Sequence, residues 1–274
     1  MNLGGLRVLQ VLRRGRMIEV KTPGELQAMR AAGLVVARTL ALVTEAAKPG
    51  ISTAELDDIA EQTIRHAGAV PSFKGYHGFP ASICASVNEQ IVHGIPSKTQ
   101  VLADGDLVSV DCGAILDGWH GDSAVTLAIG EVSATDLALS AATKAAMWAG
   151  VEAVKSGGRL TDISHAVQTS AEATGRADGT EYGMILEYGG HGIGRQMHMD
   201  PFLPNVGKPG KGPRLKVGMA LAIEPMLTGG GGETVELDDG WTVITADGSR
   251  AAHWEHTVAI TADGPWVLTA PEVS

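Results

Sequence analysis

Two aspartates lie where a β-hairpin would bring their carboxylates onto one face of a sheet. Asp111 stands in the middle of an apolar β-type run, and Asp117-Gly118 shortly after it is a strong signal for a hairpin turn. If those are the two turn residues, position 111 pairs with position 124, and Asp122 faces the same side as Asp111 at roughly 7–8 Å between Cα atoms. Two such carboxylates repel each other unless a cation joins them. The pair alone leaves a second interpretation open, in which Asp122 caps a turn and Asp111 pairs with a basic side chain.

A glycine-rich segment, 189–198, carries two histidines, His191 and His198. Glycines let the backbone approach a ligand closely, and histidine is a common metal ligand and acid–base group. The segment lacks the Lys-Ser/Thr of a phosphate-binding loop and any Gly-x-Gly-x-x-Gly spacing, so it does not indicate nucleotide binding. A histidine in isolation is more often just hydrogen-bonded, so this segment predicts a site only in combination with other residues.

Two glutamates, Glu224 and Glu255, each lie within a β-like run, 222–226 and 253–258. A single glutamate in a strand can face solvent by alternation, and that is the default interpretation for either residue. Four acidic residues inside strands, together with histidines in a glycine-rich loop, are harder to explain in that way. Four carboxylates and one imidazole form a donor set that suits two divalent transition metals. Such a pair of ions can activate a water and hold a carbonyl oxygen.

The elements that must position these groups begin with two helices. Thr22-Pro23-Gly24-Glu25 and Ser52-Thr53-Ala54-Glu55 are capping boxes, and they predict helices that end near Lys48 and Ala67. The remaining patterns predict two more helices, over about 134–155 and 161–174, and strands over 83–87, 107–115, 123–129, 221–224, 241–245 and 253–260.

A weak internal repeat relates the two helical regions. Segments 48–68 and 155–175 have the same length, and each opens Lys-x-Gly and ends in glycine. Each also follows a long predicted helix. Helix pairs followed by strands, twice over, suggest two similar α/β halves, although a match of this quality also arises by chance.

Composition and charge limit the classes of protein. The chain has 274 residues, a net charge of −10 and 44% hydrophobic residues. This is typical of a globular chain with a sizeable core, and it gives no support for DNA or other nucleic-acid binding, which requires a basic face. Two cysteines, Cys84 and Cys112, are too few for a disulfide framework and favour a reducing, cytoplasmic compartment. No apolar run is expected to span a bilayer.

Taken together and in this order, these residues resemble the type I methionine aminopeptidases. The resemblance rests on the following motifs: Ser86-Val87-Asn88-Glu89 with His93-Gly94-Ile95-Pro96, Asp111 with Asp117-Gly118 and His120-Gly121-Asp122, Gly190-His191-Gly192-Ile193-Gly194 with His198, Ile223-Glu224-Pro225-Met226, and Glu255-His256-Thr257. It covers the chain from about Met17 to the end. The chain resembles the short bacterial form, without the type II insertion or a zinc-finger extension.

The resemblance implies a fold and a set of site residues. The fold is the pseudo-two-fold "pita-bread" α/β (α+β) fold of creatinases and aminopeptidases, an antiparallel sheet covered by helix pairs. The implied metal ligands are Asp111, Asp122, His191, Glu224 and Glu255, with Asp122 and Glu255 bridging two ions. The implied catalytic groups are His93, His198 and Glu224, and the implied substrate pocket consists of Phe73, Tyr76, Phe79, Cys84 and Trp241.

The resemblance also implies an activity. The expected reaction is hydrolytic removal of the initiator methionine from nascent proteins whose second residue is small, with two divalent ions (Co, Mn, Fe or Zn) as cofactors. The expected enzyme is a cytoplasmic monomer that does not bind membranes, and ribosome association is left open. Two alternatives are an X-Pro aminopeptidase or prolidase of the same fold, and a non-catalytic peptide-binding module. Prolidases usually carry an additional N-terminal domain, and binding modules usually lack metal ligands.

The first sixteen residues match nothing in this family. They have no helix cap, and their mildly apolar stretch, 3–12, precedes Arg13, Arg14 and Arg16, whereas a secretory signal has its positive charge first. We therefore expect a peripheral segment over 1–16 and a single catalytic metallopeptidase domain over 17–274. Met1 and Met17 both remain open as the natural start.

Overall fold

The computed structural model describes residues 18–271. The expectations for the segment 1–16 and for Met17 lie outside the described residues. Within that range the helices are α1 (Pro23–Ala46), α2 (Thr53–His66), α3 (Ala134–Glu152) and α4 (Leu160–Asp178). All four predicted helices are therefore confirmed, with ends within a few residues of the predicted ones.

Fifteen strands are described in residues 18–271, and all of their pairings are antiparallel. In chain order they are β1 (Val70–Pro71), β2 (Ile83–Val87), β3 (Gln90–Val92), β4 (Leu107–Leu116), β5 (Trp119–Ala128), β6 (Gly183–Met184), β7 (Gly190–Gly192), β8 (Met199–Leu203), β9 (Ala220–Ile223), β10 (Met226–Thr228), β11 (Thr234–Glu236), β12 (Val243–Thr245), β13 (Ala251–His253), β14 (His256–Thr261) and β15 (Gly264–Val267).

Both predicted capping boxes are present. The Thr22 hydroxyl accepts a hydrogen bond from the Glu25 amide, and the Glu25 carboxylate accepts one from the Thr22 amide at 2.8 Å. Ser52 and Glu55 make the same reciprocal pair at the start of α2. Each box satisfies amide groups that have no partner inside the helix, so the two start points are set by local sequence.

The chain forms two halves, each with a helix pair packed on an antiparallel sheet. In the first half, α1 and α2 cover a sheet of β1, β4 and β2, with β5 paired to β4. In the second half, α3 packs against β9, β10 and β13, and α4 packs against α3 and β8. Each half has its own apolar core, which draws on both its helices and its strands. This is the pita-bread architecture, and the expected fold class is confirmed.

Helix α1 is long and apolar enough, by length and composition, to cross a bilayer, which the sequence analysis did not anticipate. Its buried side chains recur at helical spacing: Leu26, Met29, Ala32, Val36, Leu40 and Val43. They face α2, β4 and β5, and most of them have no exposed surface. In this structure α1 is therefore a core helix of the first half.

The register of the β4–β5 hairpin is the predicted one. Leu116 pairs with Trp119 across the turn, and Asp111 pairs with Ala124. Strand β5 begins at Trp119, earlier than the predicted 123, because the hairpin pairing continues to the turn.

The prediction of one continuous strand over 253–260 is wrong. The structure divides it into β13 and β14, with Trp254 and Glu255 between them. At this point the chain pairs with the first half: the Glu255 amide donates to the Ala124 carbonyl at 3.0 Å, and the Ala124 amide donates to the Glu255 carbonyl at 3.3 Å. This long-range pairing interrupts the strand, and local sequence pattern did not reveal it.

Further contacts join the two halves. The Thr257 hydroxyl accepts from the Asp122 amide at 3.0 Å and donates to the Asp122 carbonyl at 2.8 Å. Arg30 of α1 donates to the Leu268 carbonyl at 2.8 Å, so the first half also holds the segment after β15. The hairpin strand that carries Asp122 is thereby fixed to the strand that follows Glu255.

The close approach of α1 to this segment gives a stability prediction. A Cβ added at Gly33 would lie 2.2 Å from the Leu268 carbonyl oxygen, whereas one added at Gly24 in the same helix meets nothing within 4 Å. We expect Gly33→Ala to lower the free energy of unfolding by about 1–3 kcal/mol, as overpacking does, and Gly24→Ala to be close to neutral. Urea unfolding of both variants measures this. Equal midpoints for the two would show that α1 does not pack this tightly.

Candidate active site

A cavity of about 1250 Å³ lies between the two halves. All of the predicted site residues line it: Phe73, Tyr76, Phe79, Cys84, His93, Asp111, Asp122, His191, His198, Glu224, Trp241 and Glu255. Among residues 18–271 the lining includes no lysine or arginine, and four exposed acids, Glu187, Glu236, Asp238 and Asp239, lie at its mouth. The cavity therefore has acidic side chains both at its opening and in its buried part.

The backbone pairings described above bring three carboxylates together. Asp111 and Asp122 project from β4 and β5 of one hairpin, and Glu255 joins them through its pairing with Ala124. The carboxyl oxygens Asp111 Oδ1, Asp122 Oδ1 and Glu255 Oε1 are buried and have no hydrogen-bond partner among the described residues. The described residues do not support the alternative in which Asp111 pairs with a basic side chain, because none of those that line the cavity is a lysine or an arginine.

Strands β7 and β9 of the second half add an imidazole and a fourth carboxylate. His191 pairs with Ala222, two residues before Glu224. His191 Nε2 lies 3.5 Å from Glu224 Oε1 and 4.0 Å from Asp122 Oδ2. Its other nitrogen, Nδ1, is 2.9 Å from the Gly192 carbonyl, which can only accept a hydrogen bond. The proton therefore lies on Nδ1, and the Nε2 lone pair faces the carboxylates.

The protonation of the four carboxylates reflects their crowding. Burial raises the pKa of Asp111 to about 7 and that of Glu224 to about 7. Burial and the neighbouring carboxylates raise the pKa of Asp122 and of Glu255 well above the ordinary range. Buried like charges cannot all be ionised without compensating cations. The cluster thus has the free oxygen atoms, the free nitrogen and the excess negative charge that divalent cations would satisfy.

Two groups of three donors are close enough to hold an ion each. Asp122, His191 and Glu255 form one group, and Glu224, His253 and Glu255 form the other, with the donor atoms of each group within 4.8 Å of one another. Glu255 belongs to both groups. A carboxylate shared between two groups of donors is placed as a bridging ligand would be.

His198 lies beside this cluster. Its ring centroid is 4.4 Å from that of His191, and its Nδ1 is 2.9 Å from the Tyr76 hydroxyl. Burial and the neighbouring His191 lower the pKa of His198 to about 2, so the ring is neutral at physiological pH. His198 Nδ1 is occupied by the tyrosine, which leaves Nε2 for a contact in the cavity.

His93 lies on another side of the cavity, just after β3. Its backbone is left-handed, with φ of 60°, and the following Gly94 packs so closely that an added Cβ would lie 2.4 Å from the Ala85 carbonyl oxygen. Its ring contacts Tyr188 and Trp241 edge-on, at centroid distances of 5.7 and 6.4 Å. Burial lowers the pKa of His93 to about 4.

The predicted pocket residues form one apolar cluster next to the carboxylates. Phe79 and Trp241 meet edge to face at 5.1 Å between ring centroids. Phe79 is buried together with Phe73, Ala81, Cys84 and Met197, and Trp241 is partly buried against them. Cys84 is the strand partner of Asp111, so the pocket adjoins the carboxylate cluster directly.

Several residues of this site were not predicted from the sequence. Met197, Tyr188 and Met226 line the cavity, and Thr257 holds the backbone of Asp122. The most consequential omission is His253, whose Nε2 lies 3.5 Å from Glu224 Oε2. A signal was present, because His253 and Glu255 are two residues apart in one predicted strand and would share a face.

The chain is similar to known peptidases over most of its length. The model of the family described as Metallopeptidase family M24 matches residues 27–262. The relative named methionine aminopeptidase 1 of Mycobacterium tuberculosis is 60% identical over 264 residues, which cover 96% of this chain and 99% of that relative.

Solved structures agree with the sequence relatives. The crystal structure of methionine aminopeptidase from Thermotoga maritima has a TM-score of 0.89 at 42% identity and covers 93% of this chain and 100% of that chain. A prolidase from Pyrococcus furiosus has a TM-score of 0.73 at 22% identity and covers 93% of this chain and 66% of that chain, a likeness that shows the fold alone. With this identity, this coverage and the matched family model, the chain belongs to metallopeptidase family M24 and, within it, to the type I methionine aminopeptidases.

Proposed function

We propose that this enzyme hydrolyses the bond after an N-terminal methionine, in peptides and nascent proteins whose second residue is small, with two divalent ions as cofactors. The observation that carries the proposal is the carboxylate cluster at the edge of an apolar pocket, in which three buried oxygens have no hydrogen-bond partner among the described residues. The proposed ligands are Asp111, Asp122, His191, Glu224 and Glu255, with Asp122 and Glu255 bridging. Co, Mn, Fe and Zn all suit these donors.

Bound divalent ions would supply Lewis-acid polarisation of the substrate carbonyl and a water that deprotonates at neutral pH. Glu224 accepts the proton of the attacking water and passes it to the leaving amine. The position of Glu224 supports this role, because its carboxylate lies between the imidazoles of His191 and His253, at 3.5 Å from each.

The two other histidines stabilise charge and orient the substrate. Burial raises the pKa of Tyr76, which keeps its hydroxyl protonated. That hydroxyl lies 2.9 Å from His198 Nδ1, and in the tautomer that we propose it donates to this nitrogen. His198 then carries its proton on Nε2 and donates a hydrogen bond to the developing negative charge on the carbonyl oxygen. His93 donates to the scissile amide from the opposite side of the cavity.

Selection of the N-terminus follows from charge and shape. A cavity lined by carboxylates, with no lysine or arginine among its described lining residues, attracts the positively charged α-amine of a peptide. The amine binds at the Asp111 end of the cluster, and the methionine side chain enters the pocket of Phe73, Tyr76, Phe79, Cys84 and Trp241. Aromatic rings and a thiol suit a thioether.

The setting proposed for the enzyme is the cytoplasm, where it acts as a monomer on nascent chains and has access to the ribosome. Both cysteines are buried and unpaired, which supports a reducing compartment. The segment 17–274 is proposed as one catalytic domain, because both halves contribute ligands to a single cavity.

Removal of one proposed ligand tests the metal centre. Glu255→Gln keeps the shape of the side chain but removes the shared charge, so we expect loss of at least one bound ion and of nearly all activity. The control is Glu45→Gln, an exposed carboxylate on α1. Metal content per chain, measured by inductively coupled plasma mass spectrometry beside turnover, provides the readout. Two retained ions and near-normal turnover in Glu255→Gln would refute the ligand assignment.

Substitution of His198 tests whether this residue acts in catalysis or in metal binding. We expect His198→Ala to keep both ions and to lose roughly 10²-fold or more in kcat, as a positioned donor does. Tyr76→Phe should lose less, because the imidazole remains and only its preferred tautomer is lost. If His198→Ala instead loses metal, with normal turnover per bound ion, His198 is a ligand and not a charge-stabilising donor.

A substrate series tests specificity and the alternative activities. We expect Met-Ala-Ser and Met-Gly-Ser to be cut rapidly and Met-Leu-Ser and Met-Lys-Ser to be nearly resistant, because a large second side chain meets a wall. Norleucine in place of methionine changes the free energy of binding in the pocket by only about 1–3 kcal/mol. A peptide that begins with norleucine should therefore be cut, but slowly. Mass spectrometry of the products gives the rates. Equal rates across the second residue, or faster cleavage of Ala-Pro than of Met-Ala-Ser, would favour a different peptidase.

A further inference from the structure

His253 is a buried imidazole with a nitrogen that faces the carboxylate cluster. The residue ends β13 and is 1% exposed. Its Nε2 has no hydrogen-bond partner among the described residues, although it lies 3.5 Å from Glu224 Oε2. A buried polar atom without a partner is costly and calls for an explanation, such as a bound ion.

The backbone of His253 is fixed on both sides. Its amide donates to the Thr126 hydroxyl at 2.9 Å and to the Ser109 hydroxyl at 3.1 Å, and its carbonyl accepts from Thr126 at 2.7 Å. Residues of β4 and β5, the strands that carry Asp111 and Asp122, therefore hold His253 in place. The imidazole is positioned by the same hairpin as the two aspartates.

The distance to Glu224 fits two ligands of one ion better than a hydrogen bond. N–H···O hydrogen bonds in proteins are about 2.7–3.2 Å long, and those to a carboxylate fall at the short end. Two ligands with bonds of about 2.1 Å at angles of about 90–110° lie roughly 3.0–3.4 Å apart. The His253–Glu224 separation of 3.5 Å equals that between His191 and the other oxygen of Glu224.

We propose that His253 Nε2 is a metal ligand, which completes a site with Glu224 and Glu255. This rests on the proposed metal-dependent function but adds a second imidazole to the five-residue ligand set. The donor atoms of the three side chains lie within 4.8 Å of one another. Glu255 is shared with the group that contains His191, so the pair of ions would have two imidazole ligands in all. A donor set richer in nitrogen favours Zn, Co or Fe over Mn and Mg.

X-ray absorption of the Co²⁺-loaded wild-type enzyme tests this without any variant. Multiple scattering from imidazole is expected to correspond to one ring for each ion. One ring for every two ions would leave His191 as the single nitrogen ligand and would overturn the proposal. In His191→Gln, half of the imidazole signal should remain, supplied by His253.

Metal titration of His253→Gln provides a second readout. We expect its Co²⁺ affinity to fall by roughly 10–100-fold, its visible Co²⁺ spectrum to change, and its Mn²⁺ affinity to fall less. The matched control is His165→Gln, an exposed histidine on α4. An unchanged Co²⁺ affinity and spectrum, even with a lower kcat, would assign His253 a hydrogen bond to Glu224 and overturn metal ligation. Wild-type metal binding and peptide cleavage test the proposed function separately, so the two failures are distinguishable.

Discussion

The main physical constraint on this structure is the mutual repulsion of four carboxylates that it holds together in its interior. Asp111, Asp122, Glu224 and Glu255 line a cavity to which residues 18–271 contribute no lysine or arginine, and burial raises the pKa of each of these four carboxyl groups. Water cannot relieve this repulsion in the interior, so the folded chain keeps the acids together only through bonds made elsewhere or through cations. A cluster of this kind is weak as a source of stability and suited to binding metal.

The fold provides the bonds that hold the cluster. Reciprocal backbone hydrogen bonds join Glu255 to Ala124, and Thr257 holds both the amide and the carbonyl of Asp122. Arg30 and the tight contact at Gly33 anchor the C-terminal segment on α1. The two halves therefore meet at the site itself, and neither half contains the complete set of donors.

Neutral histidines and an apolar pocket lie next to the carboxylate cluster. His198, oriented by Tyr76, and His93, packed against aromatic rings, are kept uncharged by burial, so they can donate hydrogen bonds without adding positive charge. The aromatic and sulfur-containing pocket begins at Cys84, the direct strand partner of Asp111. The apolar pocket and the acidic cluster therefore lie side by side in one cavity.

Local sequence determined the features that depend on neighbours along the chain. The capping boxes at Thr22 and Ser52 and the Asp117-Gly118 turn act over a few residues, and the turn alone set the register that places Asp111 and Asp122 on one face. The carboxylate and imidazole donors could also be identified from the sequence, and the motifs of the family include all five proposed ligands. Tertiary structure decided the break between β13 and β14 and the approach of His253 to Glu224. The break depends on pairing between the two halves, whereas the approach of His253 to Glu224 depends on the pairing of β10 with β13, in which Met226 faces His253. Residues so distant in sequence leave no local pattern from which such contacts could be inferred.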